Sequence, residues 1–355
     1  MTYELIIRCD SSGQIGYGHL LRCFSLALAL REAKFEPIFL MQRLPANGAA
    51  LIDEAGLQIR WLAIASNPVL LKEKDARQLI GFAKEENISC VLVDHYGADE
   101  EYLALLNEAG LRLAVIDDLA DRDLWAAEWV LNQNLGADFL DYRISPGAVK
   151  LLGPSYALLR PEFGVQRQIL SRSFSLNDCH VLITLGGGES DVLAAHVIEA
   201  LAGLDKLLRI RCIIGRRGTI GEELHIAVKC NPHQVELLQD VRDMALQMAW
   251  ADISINAGGS TCWELACMGV PMLVLALSSD QILNGKSLVA HGLSGYFEIV
   301  DEDQPPKNLA EAVSSLLADP LKRADQARAG QALVDGRGAS RVAESLIQWR
   351  KKKIA

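Results

Sequence analysis

Short apolar runs alternate with longer helical patterns throughout the first half of the chain. Each run is bounded by polar or glycine-containing segments and is typical of a buried strand. The predicted strands are residues 3–8, 37–41, 59–62, 90–94, 113–117, 129–132 and 150–153. Because helical patterns separate most of them, we expect a mostly parallel sheet with helices on both faces. Such a sheet binds ligands beyond the carboxyl ends of its strands.

The same alternation resumes after a polar stretch that follows Phe163. A strand over 179–185, a helix over 191–204 and a strand over 208–215 begin a second doubly wound half. We therefore predict an α/β chain of two Rossmann-like domains that face each other across a cleft. The expected boundaries are 1–163 and 164–336, with a last helix in 337–355 that packs back on the first domain.

Length and charge restrict the class of protein. At 355 residues, half of them hydrophobic, the chain suits two domains with large cores. A net charge of −10 argues against binding to nucleic acid or anionic membranes through the general field. The eight cysteines form no C-x-x-C pair, which favours a reduced cytoplasm. The sequence shows neither the hydrophobic core of a signal peptide nor an apolar run long enough to span a membrane, so we expect no membrane anchor. The sequence leaves the oligomeric state open.

The segment 8–23 combines a strand end, three glycines, a histidine and a helix start. Gly13, Gly16 and Gly18 allow a tight turn, but their spacing does not match the dinucleotide fingerprint. His19 falls near the first helical turn, where free amides attract anions and an imidazole suits proton transfer near neutral pH. The alternative interpretation of His19 is a capping or core histidine.

Two glycine loops of the second half also precede helices. Residues 186–191 and 256–261 each follow a strand, so backbone amides can converge on a phosphate without a lysine; plain tight turns are the alternative. Glu264 lies one turn inside the second helix, where its carboxylate could bind ribose hydroxyls or compensate the helix dipole. Gln281 and Asn284 share one helical face and could bind sugar hydroxyls or a phosphate.

Polar residues also follow two other strands of the first half. Asp94, His95 and Tyr96 place an acid, an imidazole and a phenol at the expected cleft edge. Asp117 and Asp118 raise the question of a divalent metal, but acidic turns are common and two helix starts could neutralise a diphosphate. We therefore predict no metal and no other cofactor. Without zinc-ligand spacing or a nucleophile elbow, a nucleotide-sugar enzyme is the favoured class.

An ordered set of motifs carries a resemblance to a known family. The motifs are IGYGHLLRC at 15–23, VDHYG at 93–97, IDDL at 116–119, LNQN at 131–134, LGP at 152–154 with LRPEF at 159–163, and GGST at 258–261. Together they resemble the UDP-2,4-diacetamido-2,4,6-trideoxy-β-L-altropyranose hydrolase family of pseudaminic acid biosynthesis. That family is similar in fold to GT-B glycosyltransferases, and the resemblance extends over nearly the whole chain.

The resemblance implies a metal-independent hydrolase that splits the bond between the anomeric carbon and the diphosphate of a UDP-sugar. His19 would be the general base for water, and Tyr96 and Asp94 would be further catalytic residues. Attack by water opposite the leaving group predicts inversion. The implied substrate-binding residues are Asp10, Gly16, Gly18 and Arg22 in the first domain, Gly187, Gly188, Gly259, Ser260 and Thr261 near the diphosphate, Glu264 near the ribose, and Gln281 and Asn284 near the sugar.

One loop departs from the family pattern, and three rival functions stay open. Residues 186–191 read GGGESD where a Gly-Gly-Ser-Asp-Pro type loop is expected, which leaves the phosphate contacts there undefined. The rivals are a GT-B glycosyltransferase, a hydrolysing epimerase and a nucleotide-sugar-binding sensor without catalysis. The acidic composition and the histidine motif favour water over a lipid acceptor, and His19 with Tyr96 favours catalysis over sensing.

Overall fold

The chain folds around two parallel β-sheets, one in each of two units. The computed structural model describes residues 4–12, 17–63, 72–186, 191–215, 220–301 and 303–351. The first unit is Met1–Arg160 together with Arg337–Ala355, and the second unit is Pro161–Gly336. None of the helices in the described part of the chain combines the length and the apolar character that a membrane span requires.

The first unit contains a seven-stranded parallel sheet in the order β3-β2-β1-β4-β5-β6-β7. Its strands are β1 (Leu5–Cys9), β2 (Pro37–Met41), β3 (Gln58–Trp61), β4 (Cys90–Asp94), β5 (Arg112–Ile116), β6 (Ala127–Asn132) and β7 (Val149–Leu152). The helices between them are α1 (Gly18–Glu32), α2 (Ala46–Glu54), α3 (Lys72–Glu85) and α4 (Glu100–Glu108), with short 3-10 turns at Ala137–Phe139 and Pro154–Tyr156. Every residue of β1, β2, β4 and β5 is buried, as expected for strands covered on both faces.

The second unit contains a six-stranded parallel sheet in the order β10-β9-β8-β11-β12-β13. Its strands are β8 (His180–Thr184), β9 (Arg209–Ile214), β10 (Gln234–Gln239), β11 (Ile253–Ala257), β12 (Met272–Ala276) and β13 (Ser294–Ile299). Its helices are α5 (Pro161–Ile169), α6 (Asp191–Leu201), α7 (Glu222–Cys230), α8 (Met244–Trp250), α9 (Thr261–Met268), α10 (Ser279–Ala290), α11 (Leu309–Ala318) and α12 (Pro320–Leu333). The predicted alternation of strands and helices is thus confirmed in both halves.

Each sheet changes its direction of growth next to its first strand. In the first sheet the order reverses between β1 and β4, and in the second between β8 and β11. At such a point the flanking connections leave to opposite faces, which opens a crevice beyond the carboxyl ends of the two strands. Most of the residues predicted to carry chemistry lie at or after the ends of β1, β4, β8 and β11 on the sequence.

The last helix, α13 (Gly338–Lys351), returns to the first unit. Its residues Leu346 and Trp349 belong to the same hydrophobic core as Leu20 of α1. Nε1 of Trp129 in β6 donates a hydrogen bond to Oγ of Ser345 at 3.0 Å. The start of α13 passes so close to the backbone that a Cβ on Gly338 would lie 2.2 Å from the carbonyl oxygen of Ala157. The chain therefore uses its last described element to cover α1.

Candidate active site

His19 and Asp94 form a buried pair at the carboxyl edge of the first sheet. Asp94 is the last residue of β4, and the register of β4 with β1 places it beside Cys9. His19 is the second residue of α1. Its Nδ1 lies 2.7 Å from Oδ1 of Asp94, and the two side chains are 8% and 0% exposed. The fold thereby joins an acid and a base that are 75 positions apart.

The contacts around His19 define which ring nitrogen carries the proton. An ionised carboxylate only accepts hydrogen bonds, so Nδ1 donates to Asp94. Nη2 of Arg22 lies 3.2 Å from the same nitrogen, but it is itself a donor and serves Oδ1 of Asp94 at 2.6 Å. Among the described residues no hydrogen bond reaches Nε2 of His19. That nitrogen keeps its lone pair and can accept a proton.

Asp94 stays ionised in spite of its burial. Burial raises the pKa of this carboxyl, but the charge of Arg22 and its hydrogen bonds, together with His19, hold the pKa well below its ordinary value of 3.8. Nε of Arg22 donates to Oδ2 at 2.7 Å, and Sγ of Cys23 lies 3.3 Å from the same oxygen. Asp94 can therefore orient His19 and stabilise its protonated form without taking the proton itself.

Arg22 links Asp94 to a second carboxylate, Asp118. Nη1 of Arg22 reaches the two oxygens of Asp118 at 3.0 and 2.9 Å. Burial lowers the pKa of the guanidinium, but Asp118 and Asp94 raise it well above its ordinary value. Arg22 is only 7% exposed, and all three of its nitrogens face protein partners. This geometry is typical of a residue that positions its neighbours, and the contact of Arg22 with substrate stays a prediction.

Tyr96 lies against His19 at the surface and is 47% exposed. The two ring centroids are 4.7 Å apart and the planes meet at 84°, an edge-to-face contact. The hydroxyl of Tyr96 donates to Oδ2 of Asp118 at 3.0 Å, and Nδ2 of Asn134 donates to Oδ1 at 3.0 Å. Asp118 and Asn134 thus belong to this cluster, although the sequence analysis named them only within the IDDL and LNQN motifs and, for Asp118, as a turn or metal residue.

A second histidine and aspartate pair lies beside the first. Nε2 of His95 is 3.5 Å from Oδ2 of Asp10, and Nδ1 of His95 accepts a hydrogen bond from the amide of Gly97 at 2.9 Å. Since Nδ1 accepts, Nε2 carries the proton and faces the carboxylate. Both ring nitrogens of His95 are occupied, so this imidazole cannot take a proton from a substrate in this arrangement.

Asp10 is enclosed by protein partners. Its Oδ1 accepts hydrogen bonds from the amides of Gln42 and Arg43 at 2.7 and 3.1 Å, and its Oδ2 accepts one from Arg8 at 2.9 Å. Burial raises the pKa of Asp10, but His95, Arg8 and the Gln42 amide bring it well below 3.8. These contacts join the end of β1 to the end of β2, and the contact of Asp10 with substrate stays a prediction.

A buried carboxylate on α3 supports this arrangement from below. Asp75 accepts hydrogen bonds from Arg8 at 2.8 Å, Gln42 at 2.7 Å and Tyr102 at 2.6 Å. Burial and the charge of Asp75 raise the pKa of Tyr102 well above its ordinary value. Sequence reasoning missed Asp75. The available signal was its place on the apolar face of α3, four residues before Leu79, where a lone acid needs a buried partner.

Asp117 and Asp118 form ion pairs with two different arginines, Arg122 and Arg22. Oδ2 of Asp117 accepts from the amide of Ala120 at 2.7 Å, and Oδ1 lies 3.2 Å from Nη2 of Arg122. Burial raises the pKa of Asp117. Arg122 in turn donates to the carbonyl oxygen of Tyr96 at 3.0 Å, so Asp117 supports the segment that carries this phenol. Over the ranges that the structure describes, no group of three His, Cys, Asp or Glu residues could hold a metal ion.

The loop between β11 and α9 presents backbone amides to the carboxyl edge of the second sheet. In the described part of the chain, the amides of Gly259, Ser260 and Thr261 donate no hydrogen bond. The next amides along the chain, those of Cys262 and Trp263, bind carbonyl oxygens of the same turn at 3.0 Å. Consecutive open amides at a helix start favour the binding of an anion.

Helix α10 holds this loop from behind. Oε1 of Gln281 accepts hydrogen bonds from the amides of Gly258 and Leu277, each at 3.1 Å. Nδ2 of Asn284 donates to the carbonyl oxygen of Gly258 at 2.8 Å, and Asn284 is 4% exposed. A Cβ on Gly258 would lie 3.0 Å from Cβ of Gln281, so this close approach favours glycine. These bonds fix the backbone of the loop, and the contact of the two side-chain amides with a sugar stays a prediction.

The remaining predicted site residues are distributed over both units. Glu264 is half-buried in the first turn of α9, and Gly18 is the first residue of α1. Gly16, Gly187 and Gly188 lie outside the described residues, and their predicted ligand contacts stay predictions.

Comparison with known structures and families identifies the fold. The family model described as the glycosyltransferase family 28 C-terminal domain matches residues 180–342. The crystal structure of MurG from Acinetobacter baumannii is similar with a TM-score of 0.69 at 15% sequence identity, covering 98% of this chain and 99% of that chain. At this identity the similarity shows the fold alone.

Curated relatives extend the comparison at the sequence level. The spore coat polysaccharide biosynthesis protein SpsG of Bacillus subtilis is 25% identical over 98% of this chain and 99% of its own length. The UDP-2,4-diacetamido-2,4,6-trideoxy-β-L-altropyranose hydrolase of Campylobacter jejuni is 33% identical over 45% of this chain and 53% of that enzyme. The chain spans about half the length of two of the curated relatives that it matches. Its two parallel-sheet α/β domains have the GT-B-like fold predicted from the sequence, and its residues 180–342 match the C-terminal domain of glycosyltransferase family 28.

Proposed function

We propose that this protein hydrolyses UDP-2,4-diacetamido-2,4,6-trideoxy-β-L-altropyranose to UDP and the free sugar, a step of pseudaminic acid biosynthesis. The observation that carries the proposal is the His19–Asp94 pair, which keeps Nδ1 protonated and presents Nε2 as a base. The sequence similarity to the Campylobacter jejuni enzyme named for this hydrolysis supports the choice of substrate. The free thiols of the chain agree with a cytoplasmic setting.

The reaction needs one base and a stabilised leaving group. Nε2 of His19 takes a proton from water while the water oxygen attacks the anomeric carbon. The bond between that carbon and the diphosphate oxygen breaks, and its electron pair leaves with UDP. Asp94 stabilises the imidazolium that forms, and Tyr96 lies beside the attacking water. Attack opposite the leaving group inverts the configuration at the anomeric carbon.

The second unit supplies the binding of UDP. The open amides of Gly259, Ser260 and Thr261 would stabilise the negative charge of the diphosphate, and Gly187 and Gly188 are proposed to add to them. Glu264, one turn further into α9, would accept hydrogen bonds from the ribose hydroxyls. Gln281 and Asn284 hold the loop at Gly258, and they are also proposed to lie near the sugar.

A glycosyltransferase is the second candidate, and the family match of residues 180–342 favours it. In that reaction His19 would deprotonate an acceptor hydroxyl instead of water. The same base and the same UDP contacts serve both reactions, so only the nucleophile separates them.

The deciding experiment measures UDP release from the altropyranose substrate in the presence of EDTA and without any acceptor. NMR spectroscopy of the product identifies the sugar and its initial anomer. We expect stoichiometric UDP and an unaltered free sugar in the inverted configuration. Binding of UDP without its release from this substrate would favour the transferase, and a product changed at C2 would indicate an epimerase.

A further inference from the structure

Asp118 contacts three polar side chains of the first unit, although no step of the proposed reaction uses it directly. It follows β5, the neighbour of β4 in the sheet, and its side chain is 8% exposed. Arg22, Tyr96 and Asn134 reach its oxygens at 2.9, 3.0 and 3.0 Å. Because Asp118 pairs with a guanidinium and a carboxylate can only accept, all three partners donate to it.

This donation determines the hydrogen-bond polarity of Tyr96. A phenol has one O–H proton and two lone pairs. Since the proton is directed at Oδ2 of Asp118, the phenol oxygen meets any further partner as an acceptor. It does so beside His19, whose ring contacts the Tyr96 ring at 4.7 Å.

We propose that Asp118 is a positioning residue that makes Tyr96 accept the second proton of the attacking water. The inference rests on the hydrolysis proposed above. One proton of the water moves to Nε2 of His19, and the other is held by the oxygen of Tyr96, so an oxygen lone pair faces the anomeric carbon. A phenol that donated to the same water would engage one of the two lone pairs of the water oxygen and make that oxygen less nucleophilic.

The same carboxylate connects Tyr96 to the charges beneath His19. Asp118 binds Arg22, Arg22 binds Asp94, and Asp94 binds Nδ1 of His19. The ring contact between His19 and Tyr96 completes a closed series of contacts among five side chains. Asp118 therefore holds the phenol directly, whereas the imidazole is held by its own direct contact with Asp94.

A double-mutant cycle of Asp118→Asn and Tyr96→Phe tests the inference. Asparagine keeps the volume of Asp118, and phenylalanine keeps the ring against His19. We expect each single substitution to lower kcat about ten- to hundredfold while KM changes less than about twofold. In the Tyr96→Phe background, Asp118→Asn should lower kcat less than about threefold further, because the phenol is already absent. The matched control is Asp121→Asn, an exposed carboxylate of the same loop, which should keep the wild-type kcat.

Three results would overturn the inference, two in the kinetics and one in the free energy of unfolding. The first is a double variant in which the two kcat losses multiply, and the second is an Asp118→Asn effect confined to KM. The same four proteins are also compared by their free energy of unfolding, measured in urea without substrate, which reports the contact between Asp118 and Tyr96. Absence of coupling in this second cycle would also overturn the inference. If the wild-type protein releases no UDP but the unfolding cycle shows coupling, the proposed hydrolysis fails while the contact between Asp118 and Tyr96 stands.

Discussion

The two histidine and aspartate pairs of the first unit contain the same chemical groups and differ in how many ring nitrogens they occupy. His19 uses Nδ1 for Asp94, and among the described residues nothing binds its Nε2. His95 uses Nε2 for Asp10 and Nδ1 for the amide of Gly97. The imidazole of His19 can exchange a proton with a ligand. The imidazole of His95 instead connects two loops through its contacts with Asp10 and Gly97. The surroundings of a histidine, rather than its partner alone, thus decide whether it can act as a base.

The difference begins with two adjacent residues at the end of β4. Asp94 contacts His19 in the first turn of α1, whereas His95 contacts Asp10, the residue that follows β1. Asp94 also accepts hydrogen bonds from Arg22, and the charges and hydrogen bonds of Arg22 and His19 together hold the pKa of this carboxyl below its ordinary value in spite of its burial. Asp10 instead accepts hydrogen bonds from Arg8 and two backbone amides, which join the ends of β1 and β2. The end of β4 therefore supplies Asp94 to the reactive pair and His95 to the structural pair.

Substitution of the reactive histidine should give the largest effect. His19→Ala removes the base, so we expect kcat to fall about 10²- to 10⁴-fold. The affinity for UDP should change less than about twofold, since the proposed UDP contacts lie in the second unit. UDP-release kinetics and calorimetric titration measure the two quantities. A variant that keeps kcat within about threefold of wild type would exclude His19 from the mechanism.

Asp94→Asn should come next, because it changes the tautomer of His19 while the volume is kept. We expect kcat to fall about 10²- to 10³-fold and the free energy of unfolding to fall by about 3 kcal/mol as Arg22 loses a charged partner. Kinetics and urea denaturation measure these changes, and ¹⁵N NMR of the imidazole reports which nitrogen is protonated. A large kcat loss with Nδ1 still protonated would contradict the orienting role.

His95→Gln is the matched substitution in the structural pair. A glutamine amide can still donate to Asp10 but cannot reproduce both contacts of the imidazole, so the free energy of unfolding should fall by about 1–2 kcal/mol. We expect kcat to stay within about threefold of wild type. If His95→Gln lowered kcat as much as His19→Ala, the distinction between the two pairs would be lost.

The smallest effect is a difference in sensitivity to acid. The pKa values of Asp94 and Asp10 are lowered in the folded state, so their stabilising contribution is present above the ordinary pKa of 3.8 and decreases as the pH falls below it. When the pH is lowered from 7 to 3, the free energy of unfolding decreases in every variant. We expect this decrease to be about 1 kcal/mol smaller in Asp94→Asn, and in Asp10→Asn, than in the wild type. Urea denaturation at the two pH values measures this, with Asp121→Asn as the control. Equal losses in all variants would show that neither carboxylate contributes to acid unfolding.

Continuous apolar runs predicted the strands that position both pairs. β2 and β4 begin and end at the predicted residues, because polar or proline residues bound their apolar runs on the sequence. The glycine loop before α9 was predicted for the same local reason, a strand followed directly by glycines and a helix start. These features depend on neighbours along the chain.

The pairing of side chains could not be predicted in the same way. Asp94 is adjacent to His95 on the sequence, yet it pairs with His19 at a separation of 75 positions. Asp75 reaches Arg8 across 67 positions, and Asp118 reaches Arg22 across 96. Such contacts depend on the order of strands in the sheet, which places the ends of β1, β4 and β5 together.

Helix α13 gives the order of protein synthesis a consequence for this site. The ribosome produces His19, Asp94 and Asp118 early, but Leu346 and Trp349, which share the core of α1, follow the whole second unit. A nascent chain that ends before α13 therefore exposes the apolar back of the helix that carries His19. The first unit completes its folding only after the second unit has been translated. His19 is therefore fixed in its final position only near the end of chain synthesis.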